Sequence, residues 1–131
     1  MSADFLDTNI FIYLVSEDAR KVSIIEMLLA DEPIVSAQVL NEVTSVLRTK
    51  MRFEWPAVDH FIERIVFLSA VLPLDQQTNA LARSLAARYD FAWYDALIVA
   101  SALEGGCTRL LTEDMHHGLK IDDLTIINPF R

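Results

Sequence analysis

The sequence is poor in the residues that would place it in several common protein classes. Its 131 residues include a single cysteine, Cys107, which excludes an internal disulfide, and the spacing of cysteine and histidine matches no zinc site. Three glycines and four prolines are too few for a disordered or linker-rich chain. The longest uncharged run, residues 65–74, has ten residues, whereas a membrane-spanning helix needs about 18. With 53% apolar residues, the chain is expected to form one domain, 1–131, around a hydrophobic core.

Positive charge is scarce as well. The chain has 11 lysines and arginines against 19 acidic residues, and its net charge of −8 gives no general attraction to nucleic acid. The first nine residues, MSADFLDTN, lack the basic start of a secretory signal peptide. We therefore expect a cytoplasmic protein that does not associate with a membrane.

Short apolar segments with strand character alternate along the chain with longer segments of helical periodicity. The predicted strands are residues 3–6, 34–35, 71–74, 108–112 and 124–127. Six helices are predicted. The first has Thr8 or Asn9 as its N-cap, the second spans 21–30, and the third follows Ser36 as N-cap. The fourth has Pro56 in its first turn, the fifth begins at Asp75, and the sixth ends at Gly105–Gly106. This alternation predicts a three-layer α/β/α fold with a mainly parallel central sheet and right-handed crossovers.

Four carboxylates occupy positions that are awkward for a merely solvated charge. Asp7 and Asp114 follow predicted strands, so both fall at the carboxyl edge of the sheet, where ligands bind in such folds. Glu42 lies about 40° from Val46 around its helix, on the margin of the apolar stripe. Asp95 opens a helix that otherwise reads ALIVASAL. Taken singly, each has an ordinary explanation: a helix cap, a solvated boundary residue, an interaction with the helix dipole, or a loop acid.

Taken together, the four carboxylates indicate a cation. Two carboxylates about 5 Å apart repel each other by roughly 3 kcal/mol at an effective dielectric constant of about 20. Four of them converging at one edge of a sheet therefore require protons or cations. Ligand sets made only of oxygen suit Mg²⁺ or Mn²⁺, and such ions keep water molecules available for hydrolysis.

Four motifs in this sequence, taken as a set, resemble a known family. They are FLDTNIFIY at residues 5–13, VLNEV at 39–43, WYDALIVASA at 93–102 and LLTED at 110–114. In this order and spacing they resemble the PIN domain, and within it the VapC-type toxins of bacterial toxin–antitoxin pairs. By this resemblance, the residues that correspond to the Mg²⁺- or Mn²⁺-binding acids of PIN nucleases are Asp7, Glu42, Asp95 and Asp114.

The resemblance also assigns supporting residues. Thr8 and Asn9 match the polar residues after the first acid, although Asn9 could equally be a helix cap, and Thr112 matches the Thr or Ser before the last acid. Many family members continue after the last acid with an Asp-Phe pair, where this chain has MHHG at residues 115–118. A fifth acidic ligand is therefore not assigned. The residues that could substitute for it are Glu113, His116 and His117, although adjacent histidines in a loop are more often solvated.

The function implied by the resemblance is that of a metal-dependent endoribonuclease. Mg²⁺ held by Asp7, Asp95 and Asp114 would polarise a water for in-line attack on an RNA phosphodiester, and Glu42 would bind a second metal or act as a base. PIN-type hydrolysis is expected to leave a 5′-phosphate and a 3′-hydroxyl. The implied partner is a cognate antitoxin, whose amphipathic helix would lie in a groove near the acids and add an arginine or lysine to them.

Two further surfaces follow from the residues themselves. Arg48, Lys50 and Arg52 lie just past the stripe of the Glu42 helix and could reach RNA phosphates, or equally could complement the helix dipole. The segment FIERIVFLSAVL, residues 61–72, is more apolar than one buried face requires, which predicts a homodimer contact.

Two other functional classes stay open at this stage. An aspartyl-phosphatase also places a nucleophilic aspartate directly after its first strand, but it usually has a second acid two residues later, where this chain has Asn9. A catalytically silent PIN fold that only binds a partner is the other alternative. The presence of all four acids is an argument against it.

Overall fold

One central sheet organises the fold. The computed structural model describes residues 3–131, so residues 1 and 2 of the predicted domain lie outside the described range. Within residues 3–131 six strands form one sheet in the order β3-β2-β1-β4-β6-β5, and every pairing is parallel except that of β5 with β6. The strands are β1 (Phe5–Leu6), β2 (Ile34–Ser36), β3 (Ala70–Leu72), β4 (Arg109–Leu111), β5 (Lys120–Ile121) and β6 (Leu124–Ile127).

Six α-helices connect these strands within the described part of the chain. They are α1 (Thr8–Ile12), α2 (Ala19–Leu29), α3 (Ala37–Thr49), α4 (Trp55–Leu68), α5 (Gln76–Tyr89) and α6 (Trp93–Glu104), and a single 3-10 turn (Tyr13–Val15) follows α1. Ser36 caps α3 by accepting the Val39 N–H, and Asp75 caps α5 by accepting the Thr78 N–H, as the sequence predicted. Pro56 lies in the first turn of α4, where its missing N–H is not needed.

The strand order places helices on both faces of the sheet. Crossovers between parallel strands are right-handed in nearly all folds, and with this strand order the connections from β1 to β2 and from β2 to β3 place α1–α4 over one face. The return from β3 to β4, on the other side of β1, carries α5 and α6 over the opposite face. The contacts agree, because α1 and α4 pack on α3 whereas α5 packs on α6. The predicted three-layer α/β/α fold with a mainly parallel sheet is confirmed.

The core holds the central strands and α6 rigidly. Phe5 and Leu6 of β1 are fully inaccessible to solvent, and residues 96–102 of α6 are all buried. Burying an apolar side chain of this size contributes about 1.5–3 kcal/mol. Asp95, which directly precedes this buried run, is therefore attached to one of the most firmly packed elements of the fold.

Some large apolar side chains stay exposed on the described surface. Phe67 of α4 is 88% exposed, and Met27 of α2 is 72% exposed. Phe67 lies in the segment for which the sequence predicts a homodimer contact. No helix in residues 3–131 combines the length and the apolar character needed to cross a membrane.

The structure differs from the sequence analysis at three places. The expected cap of α1 at Thr8 or Asn9 is wrong, because the N-cap is Asp7, whose side chain accepts the Thr8 N–H at 2.7 Å. The strand β5 was not predicted, since two residues are too few to show a period of two. It pairs with β6 across a tight turn in which Asp122 has a positive φ of 52°. The predicted strand 71–74 ends earlier, at Leu72, just before Pro73, which has no N–H for a ladder.

Candidate active site

The four carboxylates that the sequence singled out line one open cleft of about 660 Å³. Asp7 follows β1, Glu42 lies on α3, Asp95 is in the first turn of α6, and Asp114 follows β4. The strands β1 and β4 are neighbours at the centre of the sheet, so their carboxyl ends present Asp7 and Asp114 to the same edge. Within residues 3–131, a more apolar groove lies between α1, α2 and α4, but none of the four acids lines it.

Asp7 is the most buried of the four acids, with 5% of its surface exposed. Its backbone N–H donates to the Leu111 carbonyl at 3.1 Å, which ties it to the end of β4. Its Oδ1 accepts from the Thr8 N–H at 2.7 Å, and its Oδ2 accepts from the Thr112 hydroxyl at 2.9 Å. Burial raises the pKa of Asp7 to about 7, these two hydrogen bonds lower it, and the charges of Glu42 and Asp95 raise it further.

Thr112 and Asn9 form the hub that joins β1 to the loop after β4. The fully buried Thr112 hydroxyl donates to Asp7 and accepts from the Asn9 side-chain amide at 3.1 Å and from the Asp114 N–H at 3.2 Å. The same Asn9 amide donates to Asp114 Oδ2 at 3.0 Å, and Asn9 Oδ1 accepts the Glu113 N–H at 3.1 Å. All three residues after β4 are thus tied to the first helical turn of the protein.

Glu42 and Asp95 complete the cleft from two different helices. Glu42 Oε2 accepts from the Thr8 hydroxyl at 2.6 Å, so Thr8 connects the first acid of the cleft to the second. Burial raises the pKa of Glu42, hydrogen bonds from Thr8 and Gln38 oppose that, and the charges of Asp95 and Asp114 add to it. Burial also raises the pKa of Asp95, and the charge of Asp114 raises it further. The acids of this cleft therefore destabilise one another as anions.

The donor atoms of this cleft fit Mg²⁺ or Mn²⁺. They are carboxylate oxygens from four separate elements. Burial, and to a smaller extent mutual repulsion, raises the pKa values of Asp7, Glu42 and Asp95, and a divalent cation would relieve that repulsion. In the described part of the chain, however, no three acidic, histidine or cysteine side chains already converge on one ion position. Mg²⁺ usually keeps several water ligands and takes only one or two carboxylates directly, so a converged shell of protein ligands is not required.

Glu113 is a fifth acid in the lining of the cleft, and its contacts differ from those of the other four. Its Oε1 accepts from the Tyr13 hydroxyl at 2.6 Å, and its Oε2 pairs with the Lys21 ammonium at 2.9 Å. The Tyr13 hydrogen bond and then the Lys21 contact hold the pKa of Glu113 below its usual range. Tyr13 and Lys21 were missed by sequence analysis, since neither residue stands out in a single sequence.

The basic residues proposed for RNA differ in their placement. Lys50 lines the cleft with the acids. The Arg48 guanidinium donates to the Phe53 carbonyl at 3.0 Å and lies 4.7 Å from the centre of the Trp55 ring. Its charge therefore already has partners within the protein. Arg52 is exposed, has a positive φ of 57°, and does not border the cleft.

The two loop histidines are also placed outside the cleft. His116 and His117 are both exposed. His117 Nδ1 accepts the Asn128 N–H at 2.9 Å, which fastens the loop to the end of β6. The described contacts of His117 therefore account for it as a structural residue.

Comparison with known proteins agrees with this geometry. The family profile described as the PIN domain matches residues 5–120, whereas among curated proteins none matches the sequence. The chain is similar to the Mycobacterium tuberculosis VapC20 structure, described as a Sarcin-Ricin loop cleaving toxin, with 21% identity and a TM-score of 0.67 over 82% of this chain and 87% of that one.

Two further solved structures share the fold over nearly their whole length. One is a toxin–antitoxin complex from Klebsiella pneumoniae, with 21% identity and a TM-score of 0.72 over 98% of both chains. The other is DNA-bound VapBC from Salmonella typhimurium, with 20% identity and a TM-score of 0.72 over 96% of this chain and 97% of that one. At these identities the structural similarity establishes the fold, and the profile match extends over most of the sequence. The chain belongs to the PIN domain family.

Proposed function

We propose that this protein is a Mg²⁺-dependent endoribonuclease that acts as the toxin of a type II toxin–antitoxin pair. The observation that carries the proposal is the cleft in which Asp7, Glu42, Asp95 and Asp114 meet from four elements of a PIN-family chain. The description of the similar VapC20 structure as a toxin that cleaves the Sarcin-Ricin loop supports RNA as the substrate class.

In this proposal Asp7, Asp95 and Asp114 would hold Mg²⁺, and Mn²⁺ would serve in its place. When bound, the ion would polarise a water and offset the negative charge that develops on the phosphoryl group. Glu42 is half-buried, which raises its pKa, and it is the acid assigned to accept the proton of the attacking water. Thr8 holds Glu42 in place through its hydroxyl. Attack on phosphorus breaks the bond to the 3′-oxygen and leaves a 5′-phosphate and a 3′-hydroxyl.

Asn9 argues against the aspartyl-phosphatase alternative. That chemistry usually has a second acid two residues after the nucleophile, whereas here Asn9 occupies that position and its side-chain amide donates to Thr112 and Asp114. A catalytically silent PIN fold differs from the proposed enzyme in one measurable respect, namely RNA cleavage.

The proposed contacts with RNA and with proteins involve different surfaces. Lys50, inside the cleft, is best placed to meet a backbone phosphate, and Arg48 and Arg52 lie further along the same chain segment. An antitoxin partner is proposed because structures of similar fold are toxin–antitoxin complexes. A homodimer is proposed through α4, where Phe67 is exposed.

The test is incubation of the protein with total RNA, with Mg²⁺ or with EDTA, followed by mapping of the cleaved ends. We expect cleavage only with Mg²⁺, and 5′-phosphate ends. Asp95→Asn should lower the rate by about a hundredfold or more, because it removes a proposed ligand. Asp59→Asn makes the same charge change at an exposed position of α4 and should cleave like the parent. Undiminished cleavage in EDTA, or no cleavage in Mg²⁺, would overturn the proposal.

A further inference from the structure

Glu113 lies between Thr112 and Asp114 in the chain and lines the same cleft as the four acids. Thr112 before it binds Asp7, and Asp114 after it lines the cleft. Both Glu113 carboxylate oxygens are occupied, one by the Tyr13 hydroxyl and the other by the Lys21 ammonium. A carboxylate with both oxygens engaged by donors is already neutralised without a metal.

The Lys21 ammonium is itself held by aromatic rings. Its Nζ lies 4.0 Å from the centre of the Tyr13 ring and 4.9 Å from that of Phe130. The two rings meet edge to face, with centroids 5.2 Å apart. The side chains of Lys21 and Glu113 are only 20% and 29% exposed. An ion pair confined in this way is more ordered than a typical surface pair, which contributes little.

The backbone of Glu113 is fastened from the other side. Its N–H donates to Asn9 Oδ1, while the Asn9 amide donates to Asp114 Oδ2. Residue 113 is therefore held through its side chain by Tyr13 and Lys21 and through its main chain by Asn9. Because one peptide unit separates Glu113 from Asp114, fixing the first restricts where the carboxylate of the second can lie.

We propose that Tyr13, Lys21 and Glu113 form a clamp that positions Asp114 in the cleft, and that Glu113 is a positioning residue rather than a fifth metal ligand. The inference rests on the proposed function, since it assigns Asp114 a part in holding a divalent cation. It gives Glu113 a role that the PIN resemblance left open.

Two variants and one control separate the clamp from its alternatives. Tyr13→Phe removes one hydrogen bond to Glu113 but keeps the ring against Lys21 and Phe130. Glu113→Gln keeps an acceptor for Tyr13 but removes the charge that pairs with Lys21. The control, Asp4→Asn, weakens the two-bond ion pair with Arg109 at the opposite, amino end of β4.

The experiment uses the full chain and two readouts besides activity. Amide hydrogen exchange at residues 113 and 114, followed by NMR in EDTA, reports on the loop itself. Titration with Mn²⁺, followed by its EPR signal, reports on ion binding. We expect both clamp variants to exchange faster at these amides and to bind Mn²⁺ about tenfold more weakly, the size of effect typical for partners that orient metal ligands. Asp4→Asn should change neither readout.

Any other result contradicts either the proposed function or the clamp. If the parent binds no Mn²⁺, the proposed function falls and the inference falls with it. If the parent binds Mn²⁺ and Tyr13→Phe matches it in both readouts, the clamp alone is overturned. If exchange quickens but Mn²⁺ binding is unchanged, the loop is held without positioning Asp114. If Glu113→Gln abolishes Mn²⁺ binding while Tyr13→Phe does not weaken it, Glu113 is a ligand and the clamp is wrong.

Discussion

Replacing Asp7 by asparagine should stabilise the metal-free protein at high pH and not at low pH. Burial raises the pKa of Asp7 in the folded protein to about 7, whereas its ordinary value is 3.8. Between these values the folded state retains a proton that the unfolded state has lost, so the stability of the parent falls as the pH rises. A difference of about 3 pKa units corresponds to about 4 kcal/mol, which is fully expressed above pH 7. Because asparagine does not titrate, the Asp7→Asn variant does not lose this stability as the pH rises.

The substitution by asparagine also lowers stability by a smaller amount, because one hydrogen bond is lost. Its Oδ1 can still accept the Thr8 N–H, but its amide nitrogen faces the Thr112 hydroxyl, which then loses the acceptor that Asp7 Oδ2 provides. A lost hydrogen bond of this kind costs about 1 kcal/mol. Asp7→Asn should therefore be slightly less stable than the parent near pH 4 and about 3 kcal/mol more stable at pH 8, which for 131 residues is about 10 °C in Tm.

The assay is a series of thermal melts of parent and variant in EDTA from pH 4 to pH 9. Because both proteins share every other titrating group, the difference between their curves isolates Asp7 to a first approximation. Asp59→Asn is the control for a change of net charge at an exposed site. A variant that is less stable than the parent at pH 8, or a difference that does not change with pH, would refute the reasoning.

Three further predictions follow from the same cleft and from α4. Thr112→Val removes three hydrogen bonds and should lower the free energy of unfolding, measured by urea denaturation, by about 2–4 kcal/mol. Thr112→Ser keeps the hydroxyl and should retain most of the parent's stability. Equal losses of stability in the two variants would show that the hydroxyl is unimportant. Mg²⁺ binding should stabilise the parent by about 2.7 kcal/mol when the Mg²⁺ concentration is a hundred times Kd, and so raise its Tm. The Tm of Asp95→Asn should rise less. Equal Tm shifts in the two proteins would place the ion elsewhere. Phe67→Glu should convert a dimer to a monomer in light scattering at micromolar concentration, and a parent that is monomeric across that range contradicts the proposed contact.

The meeting of the four acids in one cleft was foreseeable from the sequence. Asp7 follows β1 directly and Asp114 lies just beyond β4, and the carboxyl ends of parallel strands share an edge, so their placement at one edge was predictable. Their proximity also requires β1 and β4 to be neighbours, which only the structure shows. Glu42 and Asp95 each interrupt an apolar helical pattern near that edge. For these residues, the position of each acid within its strand or helix was enough to predict which edge of the sheet it lies near.

The connections between these residues were not foreseeable. The Thr8 hydroxyl meets Glu42 across 34 residues of sequence, and Asn9 meets Asp114 across 105. Such contacts depend on rotamers and on how closely two elements pack, which periodicity does not encode. Arg48 shows the same limit, since the chain turns back after the positive φ of Arg52 and brings the Phe53 carbonyl within reach of its guanidinium.

The central position of β1 determines when the site can exist during synthesis. Asp7 is made about a hundred residues before its partners Leu111 and Thr112. Contacts of such long range form late and slow the folding of a domain. A nascent chain still holding residues 109–114 inside the ribosome cannot pair β1 with β4, and it lacks the hub around Thr112. The order of strands in the sheet therefore delays assembly of the cleft until translation has passed β4, so that an unfinished chain remains without its acidic site.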